Sequence, residues 1–341
     1  MNDTTANKPA TAILQLLSGP KAIFQLLLKI GVLPIFLGIS LIVFGSLSDQ
    51  FLTTQNFINL FRQSVYLILV SLGQMLALIS GGFDLSVGTV LAITSVVSSM
   101  TMASLSHAGV SVEWVIIFGC LAGLAAAVVV GAINGMGVSL FKVSPFIMTM
   151  GVQSIGFGFA LYLTGGVPVS GLPGQFGDLF GFGDLMGIPA PVFICLIGIA
   201  LVWLLMERTA AGRHLHAVGG NVRAAELSGI RSGRMLWMAY IICALLAAVS
   251  GLLLTARTGS GEANIGGTVA LESIAACVIG GVSLRGGIGK TINVVLGAIF
   301  IVLVQNGMNI ANIGSYLQMV VLGCLLIVAV ITDQLRQKYL V

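Results

Sequence analysis

The chain has 341 residues, of which 57% are hydrophobic and only 8% charged; about 25% are charged in ordinary soluble domains. With a mean hydropathy of +1.09, no single water-soluble core could bury so much apolar side chain, so the solvent for most of the chain is lipid. The net charge of +4 comes from 15 scattered basic residues without aromatic interleaving, which gives no nucleic-acid surface, and the apolar runs are too long and continuous for a β-barrel.

Residues 1–29 read as a cytoplasmic segment; the first 20 are polar to mixed, with no compact apolar stretch followed by the cleavage site of a signal peptide. A spanning helix needs about 20 apolar residues. Ten candidate spans follow: 30–47, 64–82, 86–104, 114–139, 145–164, 190–206, 236–256, 268–284, 292–308 and 315–332. They predict an all-α polytopic membrane protein with one transmembrane domain over 30–332 and a cytoplasmic tail at 333–341. Two connections are long. Residues 165–189 are rich in Gly and Pro and carry Asp178 and Asp184; residues 207–235 carry five arginines.

An even number of spans returns both termini to one side. With that side cytoplasmic, thirteen of the fifteen basic residues face the cytoplasm and only Arg62 and Arg257 face outside, the orientation that the positive-inside rule favours. Trp114, Trp203 and Trp237 fall at predicted span ends, where amphipathic rings prefer the interface. Spans two to five and seven to ten enter from opposite sides, a plan common among inverted-repeat transporters. The pairing of GTVLAITSVV (88–97) with GTVALESIAA (267–276) is faint support for it. The cysteines (Cys120, Cys195, Cys243, Cys277, Cys324) lie inside apolar runs and read as small core residues.

From Gln63 to Leu105 the only formal charge is Asp84, in SGGFDLSVGT. Gly81 and Gly82 break the helix ahead of it. An aspartate just before a helix can accept hydrogen bonds from the free N–H groups of the first turn and complements the helix dipole. Irregular backbone at membrane depth also survives only when buried in protein or lining a cavity. Gly81, Gly82, Asp84 and Ser86 are therefore candidates for a capped structural break and for a path lining, and both readings stand.

Several separated segments carry a family resemblance. GGFDLSVGTVLA (81–92) resembles the GG-x-DLSVG segment of the permease subunits of ribose-type ABC importers. AVGGNVRAAELSGI (217–230) resembles that family's cytoplasmic coupling segment, and AACVIGGVSLRGGIGK (275–290) its third signature. VSPFIMTMG (143–151) and NIGSYLQMVVLG (312–323) also fit, in order, from about Phe51 to Asp333. Phe83 stands where a smaller aliphatic is more usual, and Glu262 lies in a loop where the family varies. The resemblance implies a non-enzymatic transport subunit of a bacterial inner membrane. Two permease chains, expected as a homodimer, would form the path for a pentose or hexose. A cytoplasmic ATP-binding-cassette ATPase would hold the ATP and Mg, this chain carrying no cofactor, and a periplasmic binding protein would deliver the sugar.

The residues of the coupling segment suit that role. Asn221 can cap a short helix from Val222 to Leu227, and Gly229 can end it. Such a helix is too short to be stable alone. Ala224 and Ala225 leave a low surface, Leu227 offers an apolar anchor, and Arg223 and Glu226 offer charge. Without the resemblance the plain reading is an amphipathic interfacial helix; the resemblance implies ATPase docking.

Polar residues within the predicted spans include Gln74, Asn134, Gln153, Glu272, Gln305, Asn306 and Gln318. Each reads first as an interhelical hydrogen bond worth about 0.6–2 kcal/mol. Gln74, Asn134, Gln153, Glu272 and Asn306 are the candidates for bonding a sugar along the path. GGIGKT (286–291) is no phosphate-binding loop, because the position that needs glycine is Leu284. His214 and His216 have no further ligands nearby in sequence. The rival reading is a gradient-driven secondary carrier, with Asp84 and Glu272 as its ion-site carboxylates; a docking helix in 207–235 distinguishes the two.

Overall fold

The computed structural model describes residues 33–340. The predicted cytoplasmic segment 1–29, with Lys8, Lys21 and Lys29, lies outside the described residues, as do the first residues of span one. The helices in chain order are α1 (Leu33–Leu47), α2 (Thr54–Ile79), α3 (Val87–His107), α4 (Val112–Ser139), α5 (Pro145–Thr164) and α6 (Gly174–Phe180). A two-strand hairpin, β1 (Asp184–Leu185) and β2 (Ile188–Pro189), precedes α7 (Ala190–Trp203), which runs into a π turn at Leu204–Arg208. Then come α8 (Ala210–Gly220), α9 (Val222–Leu227), α10 (Ser232–Thr258), α11 (Val269–Ile279), α12 (Thr291–Ile310) and α13 (Ser315–Leu340).

Local chemistry sets several of these boundaries. Thr53 caps α2 by accepting from Asn56 N at 3.3 Å, and Thr209 caps α8 by accepting from Gly212 N at 3.3 Å. Pro145 opens α5, where its missing N–H costs nothing. The predicted loop 165–189 is not structureless: it holds α6 and the hairpin, paired Asp184 to Pro189 and Leu185 to Ile188.

Every predicted span coincides with an apolar helix. Seven helices among the described residues are long and apolar enough to cross a membrane, and three more apolar stretches, in α1, α11 and α13, are shorter. The clearest difference concerns span eight, expected over 268–284. Its helix α11 has 11 residues, about 16 Å at 1.5 Å per residue. It stops because Gly281 takes a positive φ of 81°. Val282 N then bonds back to Cys277 O at 2.9 Å, satisfying a carbonyl that a longer helix would have used. The α2 C-terminus closes the same way, with Gly81 at φ 89° and Gly82 N bonded to Ala77 O at 3.0 Å.

The bundle is built around α2 and α10, which run antiparallel. Gly73 of α2 abuts Cys243 of α10, and Ser250 Oγ donates to Tyr66 O at 3.0 Å. The packing partners repeat between two four-helix sets. In one, α3 packs on α4, α5 and α10, and α4 on α10; in the other, α11 packs on α12, α13 and α2, and α12 on α2. Exchanging α2 with α10 maps one set onto the other, and because those helices are antiparallel the sets are inverted. Helices α3 and α11 meet at their starts. A Cβ on Gly88 would overlap the carbonyl oxygen of Gly266, and one on Gly266 would overlap that of Gly88. The start of α3, just past the turn 80–86, and the segment 259–268 therefore approach from opposite ends of the bundle and touch backbone to backbone.

Candidate transport path and coupling surface

The turn 80–86 lies level with the interior of its neighbours, and Asp84 is fully buried. Side chains of the surrounding helices satisfy its backbone, as a hydrocarbon environment demands. Tyr240 Oη donates to Phe83 O at 3.2 Å, and Thr149 Oγ1 accepts from Leu85 N at 3.1 Å. With its amide oriented to match donor and acceptor, Gln74 donates to Asp84 O at 2.9 Å and accepts from Asp84 N at 3.2 Å. Asp84 Oδ1 accepts from Ser86 N at 2.9 Å and from Ser86 Oγ at 2.6 Å. Asn134 Nδ2 donates to Ser86 Oγ at 2.7 Å. The carboxyl thus bonds the N–H just ahead of α3 rather than those of its first turn.

The five expected path residues do not converge. Gln74 and Asn134 belong to the Asp84 turn. Asn306 pairs with Asn56 at 3.0 Å, joining α12 to α2. Gln153 is half-buried on α5, where its backbone carbonyl accepts from Thr89 Oγ1 at 2.8 Å. Glu272, in the first turn of α11, accepts from Thr268 Oγ1 at 2.8 Å and borders a cavity between α2, α10, α11 and α12.

At the end of the bundle that carries the arginine-rich loop, α9 spans Val222–Leu227. Asn221 Oδ1 accepts from Ala224 N at 3.0 Å. Gly229, at φ 82°, turns the chain away, and Ile230 N bonds Ala225 O at 3.0 Å. Ala225 is buried against the fold, while Arg223, Ala224 and Glu226 are exposed. Leu227 is 83% exposed, an unburied apolar anchor at the tip of a six-residue helix. Glu226 Oε1 accepts from Ser232 Oγ at 2.6 Å, tying α9 to the start of α10.

Behind α9 three segments meet. Gly287 N donates to Ile79 O at 2.9 Å, and His216 Nδ1 donates to Gly287 O at 2.9 Å. A Cβ on Gly219 would overlap Ile79 O, and one on Gly286 would lie 2.7 Å from Gly219 O and 3.0 Å from Gly81 Cα. The end of α8, the α2–α3 turn and the α11–α12 turn are thus packed as bare backbone. Sequence reasoning placed no role on His216, Tyr240 or Thr149. Their partners are 71, 157 and 64 residues away, and no local spacing announces them.

Residues 56–330 match the family model described as branched-chain amino acid transport system / permease component. The chain is 36% identical over 302 residues to the ribose import permease protein of Bacillus subtilis (strain 168), covering 88% of this chain and 91% of that protein. It is 37% identical to the D-allose transport system permease protein of Escherichia coli (strain K12), covering 89% and 90%. It is 33% identical to the galactose/methyl galactoside import permease protein of the same strain, covering 93% and 97%. No solved structure matches the chain.

Proposed function

The chain belongs to the family described as branched-chain amino acid transport system / permease component, and on that premise we propose that it is the membrane-spanning permease of an ATP-driven monosaccharide importer. The family description speaks of amino acids, but relatives that align over nearly the whole chain are named for ribose, allose and galactose import. Whole-length similarity to these sugar permeases favours a pentose or hexose cargo.

The observation that carries the energy source is α9. A capped six-residue helix with an 83% exposed leucine is a poor free-standing element and a good insert for a groove on a partner. We assign that partner as a cytoplasmic ATP-binding-cassette ATPase, which would hold ATP and Mg. On this reading the coupling loop 207–235 and both termini face the cytoplasm, and the chain spans a bacterial inner membrane. A second copy of the chain completes the path, and a periplasmic binding protein delivers the sugar to the opposite end. Movement of α9 would reach the α2–α3 and α11–α12 turns through the Gly219–Gly287–Ile79 junction.

One observation favours the rival carrier. Asn134 Oδ1 is buried with no hydrogen-bond partner among the described residues, and the buried Asp84 carboxyl has, beyond Ser86, only the Cys243 thiol beside it, as an ion-coupled site would leave them. The deciding experiment is capture of the tagged chain from its native membrane. An ATPase recovered in stoichiometric amount, with sugar uptake that stops when ATP is withdrawn, supports the importer. Uptake that persists in ATP-free vesicles under an ion gradient, with no ATPase recovered, would establish the carrier.

A further inference from the structure

Between α2, α10, α11 and α12, at the end of the bundle that carries Arg62 and Arg257, lies a cavity of about 220 Å³. Drug-sized pockets run to roughly 300–1,000 Å³, so this one has room for a single small ring. Gln63, Tyr66, Ser250, Glu272 and Gln305 contribute to its wall, with Leu254 among the apolar residues. Four helices supply these groups, which sequence separations of up to 242 residues bring together.

Two of the polar groups here are unspent, and Ser250 is taken up by Tyr66 O. Neither the Gln63 nor the Gln305 carboxamide has a hydrogen-bond partner among the described residues, although both side chains are half-buried. The buried Tyr66 is partly engaged, with the Arg257 guanidinium over its ring at 5.8 Å from the centroid. Glu272 uses one carboxylate oxygen on Thr268. Helix-packing amides pair with one another, as Asn56 and Asn306 do elsewhere along α2 and α12. Gln63 and Gln305 stand on the same two helices and stay open. Unpaired polar groups converging in a mostly apolar cleft are the arrangement of a ligand site.

The lining also selects a chemistry. Two carboxamides, a carboxylate and a hydroxyl supply both donors and acceptors. The one charged group in the wall itself is the Glu272 carboxylate, with Arg257 standing behind Tyr66, so a phosphate or the carboxylate of an amino acid would meet like charge there. We propose that this cavity is a monosaccharide subsite on the import path, where Gln63, Gln305 and Glu272 bond ring hydroxyls. The proposal rests on the sugar-importer reading and adds where in the chain the sugar is held.

The test uses the permease with its ATPase and binding protein in membrane vesicles. Uptake of radiolabelled D-ribose, D-allose and D-galactose first identifies the cargo. Val302 also lines the cavity, and Val302→Cys, nearly isosteric, places a thiol there while keeping both carboxamides; Cys324→Ser removes an exposed native thiol. The expected result is that the transported sugar slows maleimide labelling of the introduced thiol by about tenfold, that L-leucine at equal concentration does not, and that adding Gln305→Leu abolishes the protection. Val269→Cys, on the α11 side of the same cavity, repeats the measurement should the first variant assemble poorly. Equal labelling with and without sugar, alongside normal wild-type uptake, overturns the subsite and leaves the importer standing. Protection by leucine alone overturns the sugar chemistry. Failure of the wild-type system to take up any of the three sugars overturns both.

Discussion

Gln74 holds the main chain of Asp84 at both ends of one residue, donating to its carbonyl at 2.9 Å and accepting from its N–H at 3.2 Å. A single carboxamide replaces the two backbone bonds that a continuous helix would have made. The Asp84 carboxyl does the next part of the work through Ser86. A buried polar group stripped of its partner costs about 1–3 kcal/mol.

Gln74→Leu should therefore lower thermal stability of the detergent-solubilised protein by roughly 2–3 kcal/mol, since two backbone groups lose their partner. Asp84→Ala should do the same, whereas Asp84→Asn keeps an acceptor for Ser86 and should lose about 1 kcal/mol or less. Thermal unfolding followed by size-exclusion chromatography measures the order. An Asp84→Ala protein as stable as wild type and as active in uptake would remove the turn from any role.

The Gly88–Gly266 crossing has no space for a side chain. Gly88→Ala should abolish recovery of folded protein or cost at least about 1–3 kcal/mol through overpacking. Gly158→Ala makes the control, since that position on α5 is open and the exchange should be neutral or mildly stabilising. Comparable yields of the two variants would show the crossing to be looser than described.

On the coupling surface, Leu227→Asp should reduce ATPase capture by about tenfold, the equivalent of about 1.4 kcal/mol, and leave the unfolding temperature unchanged because Leu227 is exposed. Glu226→Lys should also weaken capture, with a small additional loss of stability as its bond to Ser232 is removed. Undiminished capture by both variants would rule out α9 as the contact.

His216→Ala removes the side-chain bond to Gly287 O without touching α9. The expected outcome is ATPase capture at the wild-type level with less sugar moved per ATP hydrolysed, by roughly a factor of two to ten, as loss of one hydrogen bond of about 0.5–1.5 kcal/mol permits. An unchanged ratio of uptake to hydrolysis would separate the junction from energy coupling.

Apolar run length was enough to locate all ten apolar helices, because the cost of exposing backbone in lipid leaves few alternatives. The α9 helix was legible for a similar reason: Asn221 and Gly229 each do their work within a few residues of themselves. The short α11 was not legible. Its apolar character continues past Ile279 through Val282 and Leu284, and only the backbone reversal at Gly281 ends it. The path residues were read least well. A glutamine that pins a turn, such as Gln74, and one that faces a cavity, such as Gln305, look alike in sequence, and only the helix placed opposite decides between them.

One of the places where the two inverted halves touch, the Gly88–Gly266 crossing, is made of peptide groups alone. Side-chain contacts can be retuned by exchanging one residue for another, and they carry rotamers that must change when the contact shifts. The Gly88–Gly266 contact offers neither. If one half tilts against the other, this crossing is a fulcrum: the cavity walls begin beside it, at Leu91 and Ile265, and their far side at Gln63 and Gln305 sweeps through the larger arc. Cargo preference can then drift through substitutions in those walls while the fulcrum stays fixed.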